Sequence, residues 1–193
     1  ARQAVQAAKG DPFKAEAMLA AVTSAMDQMW VHARNDRDAY AEADRSLKAA
    51  DQAIDAAKAE AGRASGDGLE DSPEIRAAYG EIESLSRRLS SAQSKFGAAN
   101  GDWNDVDREA DAIANAAGQA AATLKREMAE AQAASAEISR AASKVREASN
   151  WSGSYGVYIS GSPGSGSVDS ARSAMRNGDY AVAKRHAAAA YRA

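Results

Sequence analysis

The chain has 193 residues and a mass of 20.1 kDa, light for its length because roughly a quarter of it is alanine, the strongest helix former and a side chain that buries little area. Aromatic residues make up only 6% and prolines number 3, which excludes an all-β sandwich and a thickly packed core and predicts long helices meeting along thin seams. The 24 basic and 27 acidic residues are intermixed and cysteine is absent, so the chain carries no nucleic-acid footprint, no polybasic membrane patch, no disulfide and no thiolate chemistry.

In chain order, a short helical segment ends at Gly10, Asp11 caps the next helix, and Pro12 occupies its first turn. From there a heptad repeat runs through Leu19, Met26, Ala33, Tyr40, Leu47, Ile54 and Ala61. Its companion series is Ala15, Val22, Met29, Asp36, Ala43, Ala50 and Ala57. Apolar spacing of this kind, sustained over about 50 residues, predicts a coiled-coil-like seam about 75 Å long. The run from Gly62 to Ser72, with Gly66-Asp67-Gly68 inside it, ends the helix as a loop.

A second helix opens at Ser72-Pro73-Glu74 and carries Ile75, Ile82, Leu89 and Phe96 beside Ala78, Leu85, Ala92 and Ala99, stopping at Asn100-Gly101. The third begins at Asp102-Trp103. One of its series is Trp103, Ala110, Ala117, Leu124, Ala131, Ile138 and Val145; the other is Val106, Ile113, Ala120, Glu127, Ala134, Ala141 and Ala148. Residues 150–167 are glycine- and serine-rich and predict a connector, with an apolar island at Tyr155, Val157, Tyr158 and Ile159 suited to a short β-hairpin. Beyond it, Val168 to Asn177, the turn Gly178-Asp179 and the segment from Tyr180 predict a short helical hairpin.

Three turns share one form: Lys9-Gly10-Asp11-Pro12, Asn100-Gly101-Asp102-Trp103 and Asn177-Gly178-Asp179-Tyr180. Glycine ends one helix and aspartate caps the next almost at once, the chemistry of a tight helical hairpin. The first two turns lie 91 residues apart, and that offset maps the first long seam onto the third helix without a gap. Even the charged intruders correspond, since Asp36 and Glu127 each follow their capping aspartate by 25 residues. The pattern predicts a duplicated helical-hairpin bundle over 1–149, the connector over 150–167, and in 168–193 a short hairpin that starts a further repeat. Because both ends of the sequence fall within helical patterns, the chain is expected to be a fragment of a longer helical array.

Few residues suggest chemistry. The run Gly161 to Ser167 has the glycines of a phosphate loop but not its Gly-Lys-[Ser/Thr] ending, and is expected to be a connector. Asp67-Gly68-Leu69-Glu70-Asp71 is acidic enough to attract a hard cation but lacks the alternating ligand spacing and closing glutamate, so a solvated helix connector is expected. His32 and His186 have no histidine at i+4 and no acidic relay, which suits surface positions. Trp30, Trp103 and Trp151 could stack on a ligand. Trp103 also fits as a plug at the end of a hairpin, and Trp30 flanks the seam. Asp36 and Glu127 admit two roles: a paired-carboxylate site, or polar seam positions that specify register. The register role is the expectation. No catalytic, cofactor-binding or metal-binding residue is assigned.

The stretch Ala1-Arg2-Gln3-Ala4 through Gly10-Asp11-Pro12-Phe13-Lys14-Ala15-Glu16-Ala17 resembles the helical region of bacterial TPM-domain envelope proteins. In that family a phosphatase-like TPM domain and a membrane segment precede alanine-rich helices. A glycine/serine-rich region follows near the C-terminus, which Asn150–Ser167 resembles. The TPM domain has no counterpart in this sequence, so no phosphatase residue or metal site carries over. The resemblance implies an extracytoplasmic or membrane-proximal helical module.

The expected fold is therefore all-α and elongated, an antiparallel bundle of helices of about 27 to 50 residues similar to spectrin-type repeats. The expected function is a non-enzymatic spacer or docking scaffold without a cofactor. A protein partner or self-association is expected, with no nucleic acid and no membrane insertion by this segment, since no apolar run approaches ~20 residues and no signal peptide is present. The alternative is a ligand-binding or sensory helical bundle that signals by helix displacement.

Overall fold

The computed structural model describes residues 12–98, 102–155 and 164–192, and 92% of these are helical, in five helices with no strand. We number them α1 (Pro12–Gly66), α2 (Pro73–Phe96), α3 (Trp103–Tyr155), α4 (Ser165–Arg176) and α5 (Tyr180–Arg192). The fold is an all-α helical bundle with long helices, as the heptads predict.

Local chemistry accounts for where the helices start and stop. After Pro12, α1 meets no glycine until Gly62 and no proline at all, so nothing breaks its hydrogen-bond ladder for 55 residues. It closes with Gly68 at φ 71°, where the Leu69 N–H bonds the Ala64 carbonyl and the Gly68 N–H bonds the Ser65 carbonyl. That two-bond cap satisfies carbonyls the helix would otherwise leave orphaned. α4 ends the same way at Gly178, φ 78°, with the Asp179 N–H on the Ala174 carbonyl and the Gly178 N–H on that of Met175. At the start of α3 the Asp102 carboxylate accepts the Asp105 N–H at 3.2 Å, the N-cap bond expected of that aspartate.

The helices pack as two three-helix units threaded on α3. In the first, the back half of α1, all of α2 and the front half of α3 enclose Leu47, Ile54, Ile75, Ile82, Leu85, Leu89, Ile113 and Leu124, with alanines filling the alternate positions. Ser46 on α1 donates to Asp107 on α3 at 2.6 Å, and further along both helices Lys125 pairs with Glu60 at 3.5 Å, so α1 and α3 run parallel. α2 returns between them, tied by Arg88 to Glu109 at 2.9 Å and by the Tyr79 hydroxyl, which donates to the Ala61 carbonyl. In the second unit the back half of α3 meets α4 and α5 around Ala131, Ala134, Ile138, Val168, Ala171, Tyr180, Ala183 and Ala187. Lys184 on α5 binds Glu130 on α3. One helix is thus the third member of the first unit and the first member of the second.

Three boundaries differ from the sequence expectation. α1 runs on through Gly62 to Gly66 instead of giving way to a loop at Gly62, because the left-handed turn that ends it comes only at Gly68. α3 continues past Asn150 to Tyr155 and α4 opens already at Ser165, because the serines there tolerate helix and Gly164, at φ 80°, supplies the reversal just before α4. Of the apolar island, Tyr155 closes α3; Val157, Tyr158 and Ile159 lie outside the described residues, as do residues 1–11, 99–101 and 161–163 with the turns and loop residues they contain. The front half of α1 differs as well. Its seam residues Leu19, Val22, Met26 and Met29 are exposed, whereas their counterparts from Ala43 to Ala64 are buried.

Candidate functional site

A cluster of polar residues lies where the two units meet. Here the loop between α1 and α2 touches the turn between α4 and α5, against the middle of α3. Gly178 brings the turn so close to the loop that a Cβ on it would fall 2.7 Å from the Ser72 Cα. Ser72, just 1% exposed, donates its hydroxyl to Glu74 at 3.1 Å. Buried Tyr180 lies beside the same cleft, and burial, followed by the nearby Glu127 charge, pushes its phenol above the ordinary tyrosine value. A cleft of about 240 Å³ opens beside them, lined among others by Asp67, Leu69, Met175 and Arg176.

Glu127 itself is buried at 9% exposure, with the Arg126 guanidinium 3.3 Å from its carboxylate. Near the end of α1, Glu60 is buried as well and is held by Arg63 at 2.8 Å and by Lys125 at 3.5 Å. A carboxylate taken out of water needs such partners to stay charged at tolerable cost. These cations sit at the rim with their own heads in solvent, so the site is a set of satisfied structural charges.

Asp36 and Glu127 are not brought together. Glu127 is level with the end of α1, since Lys125 meets Glu60, while Asp36 lies more than twenty residues back along α1, ~40 Å away. Nor are their environments alike, because Asp36 is exposed while Glu127 is buried. The paired-carboxylate role therefore fails on geometry; the equivalent depth of the two positions fails too. Trp103 does plug the end of the first unit. It meets Tyr40 edge-on at 5.5 Å, Tyr40 stacks on Phe96 at 4.6 Å, and the Trp103 indole nitrogen is buried without a partner. Trp30 and Trp151 are exposed, His32 is exposed and His186 half-buried. In the acidic loop, the Ser65 hydroxyl donates to Glu70 and the Arg76 guanidinium to the Asp71 carbonyl, so its oxygens already serve the helix connection. Among the described residues no three metal-ligating side chains gather, and no helix is long and apolar enough to cross a membrane.

Glu60, Ser72 and Tyr180 escape a heptad-based search. Glu60 occupies the flank just before Ala61, and only the parallel run of α1 and α3 reveals that Lys125 can reach it. Ser72 and Tyr180 do carry a signal, the cap-and-turn chemistry that ends α1 and starts α5. Their meeting is a tertiary fact that spacing alone does not encode.

The geometry defines a class: an all-α bundle of two three-helix units that share one continuous helix. No family model, curated protein or solved structure matches the chain.

Proposed function

We propose that the chain is a non-enzymatic structural and interaction module, a spacer or docking scaffold within a larger protein. The observation that carries this reading is α3, a helix of 53 residues whose front half completes one core and whose back half founds the next. A helix anchored along its length in two cores cannot bend freely at the joint, because bending would expose both seams. That makes a stiff rod. The joint is further clamped by Gly178 against Ser72, and its buried carboxylates are engaged by cations. The short motif in residues 1–17 adds a setting to this proposal, an envelope-associated bacterial parent.

The test combines shape with ligand response. Small-angle scattering should give a radius of gyration clearly above the ~16 Å of a compact chain this long. A thermal-shift screen with divalent metals and small metabolites should leave the melting temperature unmoved. A compact radius overturns the rod. A shift of several degrees that saturates with one compound replaces it with the ligand-binding or sensory bundle.

A further inference from the structure

In each unit the first and second helices form a groove that the third helix does not line. In the first unit this groove, between α1 and α2, holds Tyr79, whose hydroxyl donates to the Ala61 carbonyl at 2.9 Å, and Glu83 stands there among the cations Lys58 and Arg87. The second unit differs. Its groove between α3 and α4, about 430 Å³, is lined by Arg146, Arg172 and Arg176 with the serines 135, 139 and 143, and none of the described residues lining it is acidic. The shared architecture therefore does not by itself account for the row of arginines.

We propose that this second groove docks an acidic amphipathic helix of a partner protein. This rests on the scaffold reading and names the chemistry of the partner. Three observations point to that occupant. The first is the layout of charge. α4 begins beside Val145 and Arg146 and runs back along α3, so Arg146 stands near the level of Asp169. Arg172 follows about one turn further along the groove and Arg176 one turn beyond that, a row of ~10 Å. Arg146 donates only to the Ala142 carbonyl and the Ser143 hydroxyl, and Arg172 pairs with Asp169 at 3.3 Å, both ends of that pair being exposed. Among the described residues Arg176 has no ion-pair partner. Exposed contacts of this kind exchange readily for a better carboxylate. Cations set out in a row, instead of converging on one point, match carboxylates that recur every turn of a helix.

The second observation is shape. α3 and α4 already accept one helix, α5, on their other side, around Ala134, Ala171 and Ala183. A groove between two packed helices takes a further helix by the same ridge-and-groove fit. The floor here is apolar, formed by Ile138 with half-buried Ala142 and Met175, and so receives the apolar seam of the incoming helix while its acidic flank meets the arginines.

The third is the state of the serines. Ser86, Ser90 and Ser149 turn their hydroxyls back to the carbonyl four residues earlier. Ser135 and Ser139 are exposed in the groove, and among the described residues their hydroxyls have no partner. They are free to donate to carboxylates opposite the arginines, and their small size lets a helix approach α3 closely.

Fluorescence anisotropy on the intact chain tests this. The probe is a labelled peptide of about three heptads with leucine at a and d and glutamate at e and g, whose like charges keep it from pairing with itself. It should bind with a dissociation constant of roughly 10–100 μM at ~50 mM salt, and several-fold more weakly at ~200 mM. Arg176→Glu should weaken binding about 3- to 10-fold. Arg172→Glu combined with Arg176→Glu should abolish it and turn the preference to the same peptide carrying lysine in place of glutamate. Arg185→Glu, exposed on α5 and outside the groove, should leave binding unchanged. All the substituted side chains are exposed, and circular dichroism melts confirm that each variant folds. No binding at ~1 mM chain, or an equal loss from Arg185→Glu, overturns the proposal. Inorganic phosphate that competes at an affinity equal to the peptide's also overturns it and makes the groove a small-anion site. Vesicles of phosphatidylglycerol and phosphatidylcholine that retain the wild type but not the double variant overturn it in favour of a membrane surface. A chain that scatters as a rod yet ignores the probe leaves the scaffold reading standing, whereas a compact radius removes that reading whatever the probe does.

Discussion

Replacing Gly178 by alanine probes the joint between the two units. The backbone there is left-handed, φ 78°, a conformation that costs an alanine about 1 kcal/mol. The added Cβ would also lie 2.7 Å from the Ser72 Cα and 3.0 Å from its Cβ. These are atoms of a nearly buried residue that starts α2, with no flexible tip to swing away. Overpacking of that kind costs about 1–3 kcal/mol, so the total is about 2–4 kcal/mol. In a chain of this size the melting temperature should fall by roughly 5–15 °C. The matched control is Gly118→Ala. Gly118 sits inside α3, and a Cβ added there would meet nothing within 4 Å, so alanine should stabilise by about 0.5–1 kcal/mol through helix propensity. Urea denaturation followed by circular dichroism gives both values. Hydrogen exchange locates the damage, which should appear first in α4 and α5 while α2 stays protected, because the clash pushes the α4–α5 turn off the loop before α2. A Gly178→Ala chain within ~0.5 kcal/mol of wild type would refute the clamp.

Three further outcomes are expected. Glu127→Leu should stabilise by ~1 kcal/mol, since it removes a buried carboxylate whose partner Arg126 is already solvated; Asp36→Leu on the exposed α1 face should change the unfolding free energy from urea denaturation by less than ~0.5 kcal/mol. Tyr79 and Tyr180 both have phenols raised above their usual value of 10.0, mainly by burial. The unfolded chain therefore loses these protons first, so stability should hold up to about pH 10 and fall above it, less steeply in Tyr180→Phe. At the acid end, the hydrogen bond from Arg88 lowers the Glu109 carboxyl below its usual value. That contribution is present above the ordinary glutamate range and is lost as pH falls through the lowered value, so Glu109→Gln should flatten this limb of a pH–stability curve.

Much of the fold is legible in the sequence because thin alanine seams leave the heptad as almost the sole packing rule. Every buried position of α2, from Ile75 to Ala92, belongs to a predicted series, and so do nearly all of those on α3. Trp103 is recognisable as a plug because a large ring directly after a capping aspartate has only the bundle end to cover. What spacing cannot give is which half of a long seam finds partners. Leu19 and Leu47 occupy the same heptad position, yet one is exposed and the other buried, because coverage depends on where α2 and α3 lie. The same limit hides the joint: Ser72 and Tyr180 are far apart in sequence and neither is a seam residue of a long helix.

The unbroken helix α3 has a mechanical consequence. Within one helix a whole number of heptads keeps the seam on the same face. One residue more or fewer within α3 between the two cores would rotate its back half by about 100° around the helix and aim it away from α4 and α5. Leu124 belongs to the first core and Ala131, one heptad later in the same series, to the second, so α3 passes between units without changing phase. Glu127 lies between those two residues, at the one level where the helix leaves one set of neighbours for the next. A polar seam position is tolerated there because the Arg126 guanidinium at the rim meets its carboxylate at 3.3 Å. The unbroken heptad phase of α3 thus fixes the relative rotation of the two units.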